Sequence, residues 1–239
     1  MTDDGSVTMT EHHALIIGAS RGIGLGLVER LLERQWQVTA TSRHETDPGL
    51  AELGGRFPGR LQQEQVDIDR EDQVAGLHER LAGRTFDLIH VNAGVTHDRW
   101  ETAAEVSTAT FQRLMLTNVL SPMRFIELFQ DLAAPSGTLA VTSSGQGSIT
   151  NNTRVTGWEI YRASKSALNQ LMRSFAARHP EDPRTLLLLA PGWVRTALGG
   201  PEASLSVEQS TAGLANVIEA QAGRRGLQFL DHTGATVPW

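Results

Sequence analysis

Short apolar, β-branched runs alternate with longer stretches of helical periodicity along nearly the whole of this 239-residue chain. Such alternation predicts strands joined to parallel neighbours by crossover helices, which is a parallel sheet covered on both faces. Strands are expected over 14–18, 36–42, 62–67, 86–92, 137–143, 184–190 and 226–230, and helices over 22–34, 70–81, 108–132, 157–178 and 207–222. The run 184–190, RTLLLLA, is almost entirely apolar, as suits a strand buried on both faces. The Gly/Pro-rich stretch 44–60 leaves room for at most one short helix, and Pro122 is expected to kink the helix 108–132. No linker or internal repeat interrupts the pattern. The fold class expected is therefore α/β: one doubly wound parallel sheet of about seven strands flanked by helices, over 13–239, behind a loose tail at 1–12.

Composition removes several kinds of chemistry. There is no cysteine, which excludes disulfides, thiolate catalysis and zinc–cysteine sites. The formal net charge is −6 with basic residues scattered, so neither a nucleic-acid nor a membrane surface is expected. The polar, acidic start of the chain lacks the basic and apolar regions of a signal peptide, and a cytoplasmic protein is the default expectation. His12 and His13 could suggest a metal, but a solvated pair beside a loose end explains them more simply, and no metal is expected. One compositional fact does add chemistry: Tyr161 is the only tyrosine and Lys165 the only lysine.

The first expected strand runs into Gly18-Ala19-Ser20-Arg21-Gly22-Ile23-Gly24. Glycines are needed where backbone turns tightly against a ligand, and the helix N-terminus behind them offers free N–H groups to a pyrophosphate. Dinucleotide-binding domains that take NAD usually place an acid at the end of the second strand, to hold the ribose 2′-hydroxyl. Here that strand ends in Arg43, and Arg21 stands in the glycine turn. A guanidinium fork suits a 2′-phosphate, so NADP(H) is expected in preference to NAD(H).

Tyr161 and Lys165 lie four apart in an expected helix and so share a face. A phenol with a pKa near ~10 is made more acidic by an adjacent ammonium. A phenol tuned in this way could exchange a proton with a carbonyl oxygen.

With these motifs in place the sequence resembles the short-chain dehydrogenase/reductase superfamily over nearly its whole length. The resemblance rests on GASRGIG at 18–24, Asp67, Asn92-Ala93-Gly94, Asn118, Ser143-Ser144, Tyr161-Arg-Ala-Ser-Lys165 and Pro191-Gly192. SSGQGSI at 143–149, YRASKSALN at 161–169, PGWVRT at 191–196 and the terminal VPW are similar to the C-factor and Sniffer-type carbonyl reductase group. The resemblance implies a Rossmann-type fold and a set of roles. Tyr161 would be the general acid/base, and Lys165 would lower its pKa and hold the nicotinamide ribose. Ser144 would bond the substrate carbonyl, and Asn118 would organise a relay water beside Lys165. Gly18, Ser20, Arg21, Gly22, Ile23, Gly24, Arg43, Asp67, Ile68, Asn92, Ala93, Gly94, Pro191, Gly192, Val194 and Thr196 would line the cofactor cleft. Among these, Asp67 would meet the adenine edge, and Val194 and Thr196 the nicotinamide amide.

Two positions depart from the family pattern. Ile17 stands where many members carry Thr, and Ser144 precedes Tyr161 by 17 residues where about 13 is common, a spacing that Ser148 has. Ser144 is preferred because it sits where the fifth expected strand ends and matches the second serine of the family's pair.

The function expected is NADPH-dependent interconversion of a small carbonyl compound and its alcohol, by an enzyme that family analogy makes a homodimer or homotetramer. The alternative is a cofactor-binding signalling protein of the C-factor type, in which catalysis is secondary. A sugar-nucleotide epimerase or dehydratase shares the Y-x-x-x-K pair but usually carries a larger C-terminal region than the 43 residues after Thr196. His97, Asp98, Arg99 and Trp100 follow the NAG turn at the cleft side and could touch substrate, but loop solvation is the simpler expectation, while Trp158 and Trp193 could either pack or meet an apolar substrate.

Overall fold

The computed structural model describes residues 11–239. Most of the tail expected over 1–12 lies outside the described residues. Its last residue is tied down: the His12 ring stacks on Trp36 at 4.9 Å, and the His12 carbonyl accepts from the Gln37 N–H.

The strands are β1 (His13–Ile17), β2 (Gln37–Ser42), β3 (Leu61–Gln65), β4 (Phe86–Val91), β5 (Ala133–Thr142), β6 (Thr185–Ala190) and β7 (Gly226–Asp231). All seven pair in parallel, in the order β3-β2-β1-β4-β5-β6-β7. The order reverses between β1 and β4, which opens a crevice at the carboxyl ends of those strands.

The helices are α1 (Gly22–Glu33), α2 (Pro48–Arg56), α3 (Glu71–Leu81), α4 (Thr108–Met115), α5 (Ser121–Phe129), α6 (Glu159–Arg178) and α7 (Val207–Gln221). They cover both faces because alternate strand side chains point to opposite sides. Leu15, Ile89, Val141 and Leu188 meet Phe125, Phe129, Leu168 and Phe175 on one face. Ile16, Val38, Leu88, Ala140 and Leu187 meet Leu27, Leu31, Leu214 and Ile218 on the other. The apolar strand β6 is buried along its whole length, as its sequence predicts.

Three local departures from the sequence pattern have physical causes. The helix expected over 108–132 is interrupted by a π-helical turn at Leu116–Leu120. Pro122 has no N–H for the Asn118 carbonyl four residues before it, and the ladder widens so that Ser121 donates to Leu116. Strand β5 begins at Ala133 rather than 137, through a register shift opposite Phe86 and Leu88. Helix α6 begins two residues late, because Gly157 (φ 76°) and Trp158 (φ 56°) are both left-handed.

Candidate active site

The sheet is parallel, so the motifs that follow β1 to β6 all lie along its carboxyl edge. The glycine turn follows β1, Arg43 follows β2, Asp67 follows β3, Asn92-Ala93-Gly94 follows β4, Ser144 follows β5 and Pro191–Thr196 follows β6.

Close packing explains the glycines. A Cβ on Gly18 (φ +83°) would lie 2.9 Å from the Ala93 nitrogen, and one on Gly24 would lie 2.1 Å from the Gly18 carbonyl oxygen. Both would clash with backbone, so side chains are barred where the turn meets the strand-four loop. Gly22 abuts Thr196 in the same way, at 3.2 Å, which brings the segment after β6 onto the glycine turn. Thr41 completes the seat. Its hydroxyl accepts from the Gly18 N–H at 3.2 Å and its carbonyl from the Ala19 N–H at 2.8 Å.

These residues fit a dinucleotide. Arg21 caps α1 with extended backbone and no side-chain hydrogen bond, and the first turn of α1 holds no acid. The helix therefore presents its N–H groups and positive dipole end beside a turn in which Gly18, Gly22 and Gly24 carry no side chain. Arg21 and Arg43 are exposed, and among the described residues neither guanidinium has an acidic partner. Ser20 and Ile23 are half-buried in the turn. The Asp67 carboxylate accepts from the Asp69 N–H at 3.1 Å, and Ile68 is buried beneath it. Pro191 and Val194 are buried, with the Pro191 carbonyl held by the Ser210 hydroxyl at 2.7 Å, while Gly192 lies exposed between them.

Tyr161 and Lys165 sit one turn apart on α6, and both are buried. Lys165 Nζ donates to the Thr142 carbonyl at 2.8 Å and lies 5.8 Å from the centre of the Tyr161 ring. Burial pushes Lys165 down to about 8 and Tyr161 up to about 12, the latter opposed by a hydrogen bond with Ser144. Burial of the phenolate is the leading cause of the Tyr161 shift, while the Lys165 ammonium is turned to the end of β5.

The two candidate serines separate on geometry. Ser144 is half-buried, caps the short 3-10 turn Gly145–Gly147 by accepting from Gln146 N–H at 3.1 Å, and lies close enough to Tyr161 to favour its phenolate. Ser148 is buried and accepts from the Asn151 N–H at 3.1 Å, a local loop contact.

Asn118 is fully buried in the π turn. Its Oδ1 accepts from Val95 N–H at 2.8 Å, and its Nδ2 donates to the Val95 carbonyl at 2.9 Å and to Ser164 Oγ at 3.0 Å. The side chain thus clamps the loop after β4 to α6. Gly94 lies against both Asn118 Oδ1 and Lys165 Nζ, at 3.5 and 3.7 Å from where its Cβ would stand.

Asp69, Thr117, Ser121, His90 and Thr142 also build the site and were not singled out in the sequence. Asp69 accepts from Thr117 and Ser121 hydroxyls at 2.6 and 2.7 Å, pinning the π turn to the loop after β3. Thr142 and His90 meet beside Asn92. Arg99 was expected to be solvated, but its guanidinium lies between the Trp100 and Trp158 rings at 4.8 and 4.5 Å. His97 is buried, whereas Asp98 and Trp100 are exposed as expected. The polar His in the apolar IHV of β4 was the legible signal for His90.

The short chain dehydrogenase family model matches residues 12–204. This chain belongs to that family. It is 47% identical to a short-chain dehydrogenase/reductase from Burkholderia multivorans solved with bound NADP, with TM-score 0.93 over 96% of this chain and 100% of that one. It is 39% identical to a carbonyl reductase from Pseudomonas aeruginosa PAO1 in complex with NADP, with TM-score 0.89 over 96% and 100% of the two chains. Among characterised relatives, it is 34% identical to the C-signal protein of Myxococcus xanthus over 156 residues, 64% of this chain and 92% of that protein. As a short-chain dehydrogenase it is an oxidoreductase, and its neighbours bind NADP in this fold. No helix among the described residues is long and apolar enough to cross a membrane.

Proposed function

We propose that this short-chain dehydrogenase reduces an aldehyde or ketone with NADPH, and that Tyr161 supplies the proton. One observation carries the reading: the sole phenol of the chain is buried one turn before the sole lysine on α6, with the Ser144 hydroxyl near enough to offset part of its burial shift.

The glycine turn and the α1 N-terminus would hold the pyrophosphate, Arg21 and Arg43 the 2′-phosphate, and Lys165 the nicotinamide ribose. Bound there, the nicotinamide supplies hydride to the carbonyl carbon. This chain supplies the rest. Ser144 accepts from Gln146 N–H with one of its two lone pairs, and its hydroxyl hydrogen would be directed at the substrate oxygen. Tyr161 is a neutral phenol at pH 7 and holds the proton to be donated; burial raises it to about 12, so the donation depends on the charge that develops on the substrate oxygen and on bound groups that favour the phenolate. It releases its proton as charge develops on the substrate oxygen, where Ser144 shares that charge. Lys165, near 8 and held by Thr142, can return a proton to the tyrosine. The Asn118 side chain is engaged with Val95 and Ser164, so its backbone carbonyl, which has no Pro122 N–H to accept from, would be the group to hold a relay water.

The likeness to C-signal favours a second reading, a signalling protein in which the cofactor site matters more than turnover. A panel of aromatic, aliphatic and cyclic carbonyl compounds, followed by NADPH absorbance, tests the first reading. Oxidation of NADPH with at least one compound supports it. NADPH binding without oxidation across the panel would favour the second.

A further inference from the structure

His90 stands in the middle of β4, in register with Ile16 on one side and Ala140 on the other, and is fully buried. Its strand neighbours are Leu88, Ile89 and Val91. A buried imidazole costs free energy unless it is bonded, and an aliphatic side chain would gain from the same burial. Only one ring nitrogen of His90 is used: Nε2 lies 2.8 Å from Thr142 Oγ1, while Nδ1 has no partner among the described residues.

The direction of that bond follows from its neighbours. The Gly18 carbonyl can only accept, so the Asn92 nitrogen 3.0 Å away must be the amide Nδ2. That fixes Asn92 Oδ1 as the acceptor facing the Thr142 hydroxyl, also at 3.0 Å. Thr142 then spends its only hydrogen on Asn92 and must accept from His90, which therefore carries its proton on Nε2 and none on Nδ1. Burial that pushes His90 down to about 4 keeps the ring neutral in this state. The same Thr142 offers its carbonyl to Lys165 Nζ at 2.8 Å.

We infer that His90 is a positioning residue: its Nε2–H, through the Thr142 hydroxyl and the Asn92 amide, sets the glycine turn that receives the NADPH pyrophosphate, and through the end of β5 it seats Lys165. This inference rests on the proposed NADPH reaction for its catalytic consequence, but not for its geometry. A residue that only filled space would have no need of the donor, and the relay would tolerate its loss.

The test combines a spectroscopic measurement with a mutant cycle on the full chain. Nitrogen-15 NMR of the histidines, with His90 assigned by the signals lost in His90→Gln, is expected to show a protonated Nε2 and a bare Nδ1. A protonated Nδ1 with a bare Nε2 overturns the relay, and this reading needs no turnover. His90→Leu and Thr142→Val are each expected to weaken NADPH binding by about 3- to 30-fold, within the roughly 2- to 150-fold that coupling inside one hydrogen-bonded network spans. They should also lower kcat while leaving KM for the carbonyl compound nearly unchanged. The double variant is expected to be no worse than Thr142→Val alone, and His90→Gln, which keeps a donor, should recover most of the affinity. Additive losses in the double variant, or unchanged NADPH affinity in a folded His90→Leu, overturn the inference. If His90→Leu does not fold, the tautomer in the unaltered chain decides. If the chain binds NADPH but reduces no carbonyl compound, the proposed function fails, while tautomer and affinity still judge the relay.

Discussion

Lys165 Nζ is bonded to the Thr142 carbonyl at 2.8 Å, not to the Tyr161 hydroxyl one turn before it on the same helix. The sole lysine is thus anchored to the end of β5, and its strained protonation is a property of the fold as well as of the site.

That arrangement gives a clean pH signature, because no other lysine, no other tyrosine and no cysteine competes. Lys165 is pushed from 10.5 to about 8 on burial, so between those values the unfolded chain binds more protons and stability rises with pH. Tyr161 is pushed from 10.0 to about 12, so the native state binds more protons there and stability falls as pH climbs through that range. Thermal melts are expected to show a rise from about pH 8 to 10 that Lys165→Met abolishes, and a fall above it that Tyr161→Phe reduces. A flat profile that neither variant alters would show that the two groups are not perturbed by burial.

Charge at the end of β2 should select the cofactor. Arg43→Ala is expected to weaken NADPH by roughly tenfold, the loss of one charge-assisted phosphate contact, while NADH affinity stays the same. Fluorescence titration with both cofactors measures this. Equal losses for the two cofactors would place Arg43 away from the 2′-phosphate.

The two serines predict opposite phenotypes. Ser144→Ala is expected to lower kcat by about 10²-fold, the scale of a lost oxyanion donor, with little change in melting temperature. Ser148→Ala should instead lower the melting temperature slightly by freeing the Asn151 N–H, and leave kcat nearly intact. Kinetics and melts on both variants decide; the reverse pattern would move the catalytic serine to Ser148.

Much of this architecture could be read from the chain, because periodicity and glycine spacing report backbone demands directly. The strand-helix alternation located all the strands, and β6 announced its burial in RTLLLLA. The glycine turn was legible because Gly18 and Gly24 answer to backbone clashes that no side chain survives. What escaped was set by long-range partners. Pro122 was visible as a break, but only its place four residues after Asn118 turns a kink into a π turn. The Tyr161–Lys165 spacing suggested a charge acting on a phenol, yet the ammonium's direction was decided by Thr142, 23 residues away in sequence. Arg99 reads as a loop cation until Trp158, in its left-handed conformation, brings an indole against it.

The central claim is that the buried phenol of Tyr161 delivers the proton. Single-turnover reduction of a carbonyl compound by bound NADPH, compared between the unaltered chain and Tyr161→Phe, tests it most directly. Tyr161→Phe is expected to bind NADPH normally and to lose about 10²- to 10⁴-fold in the rate of the chemical step. A Tyr161→Phe protein that oxidises bound NADPH at the unaltered rate would contradict the account.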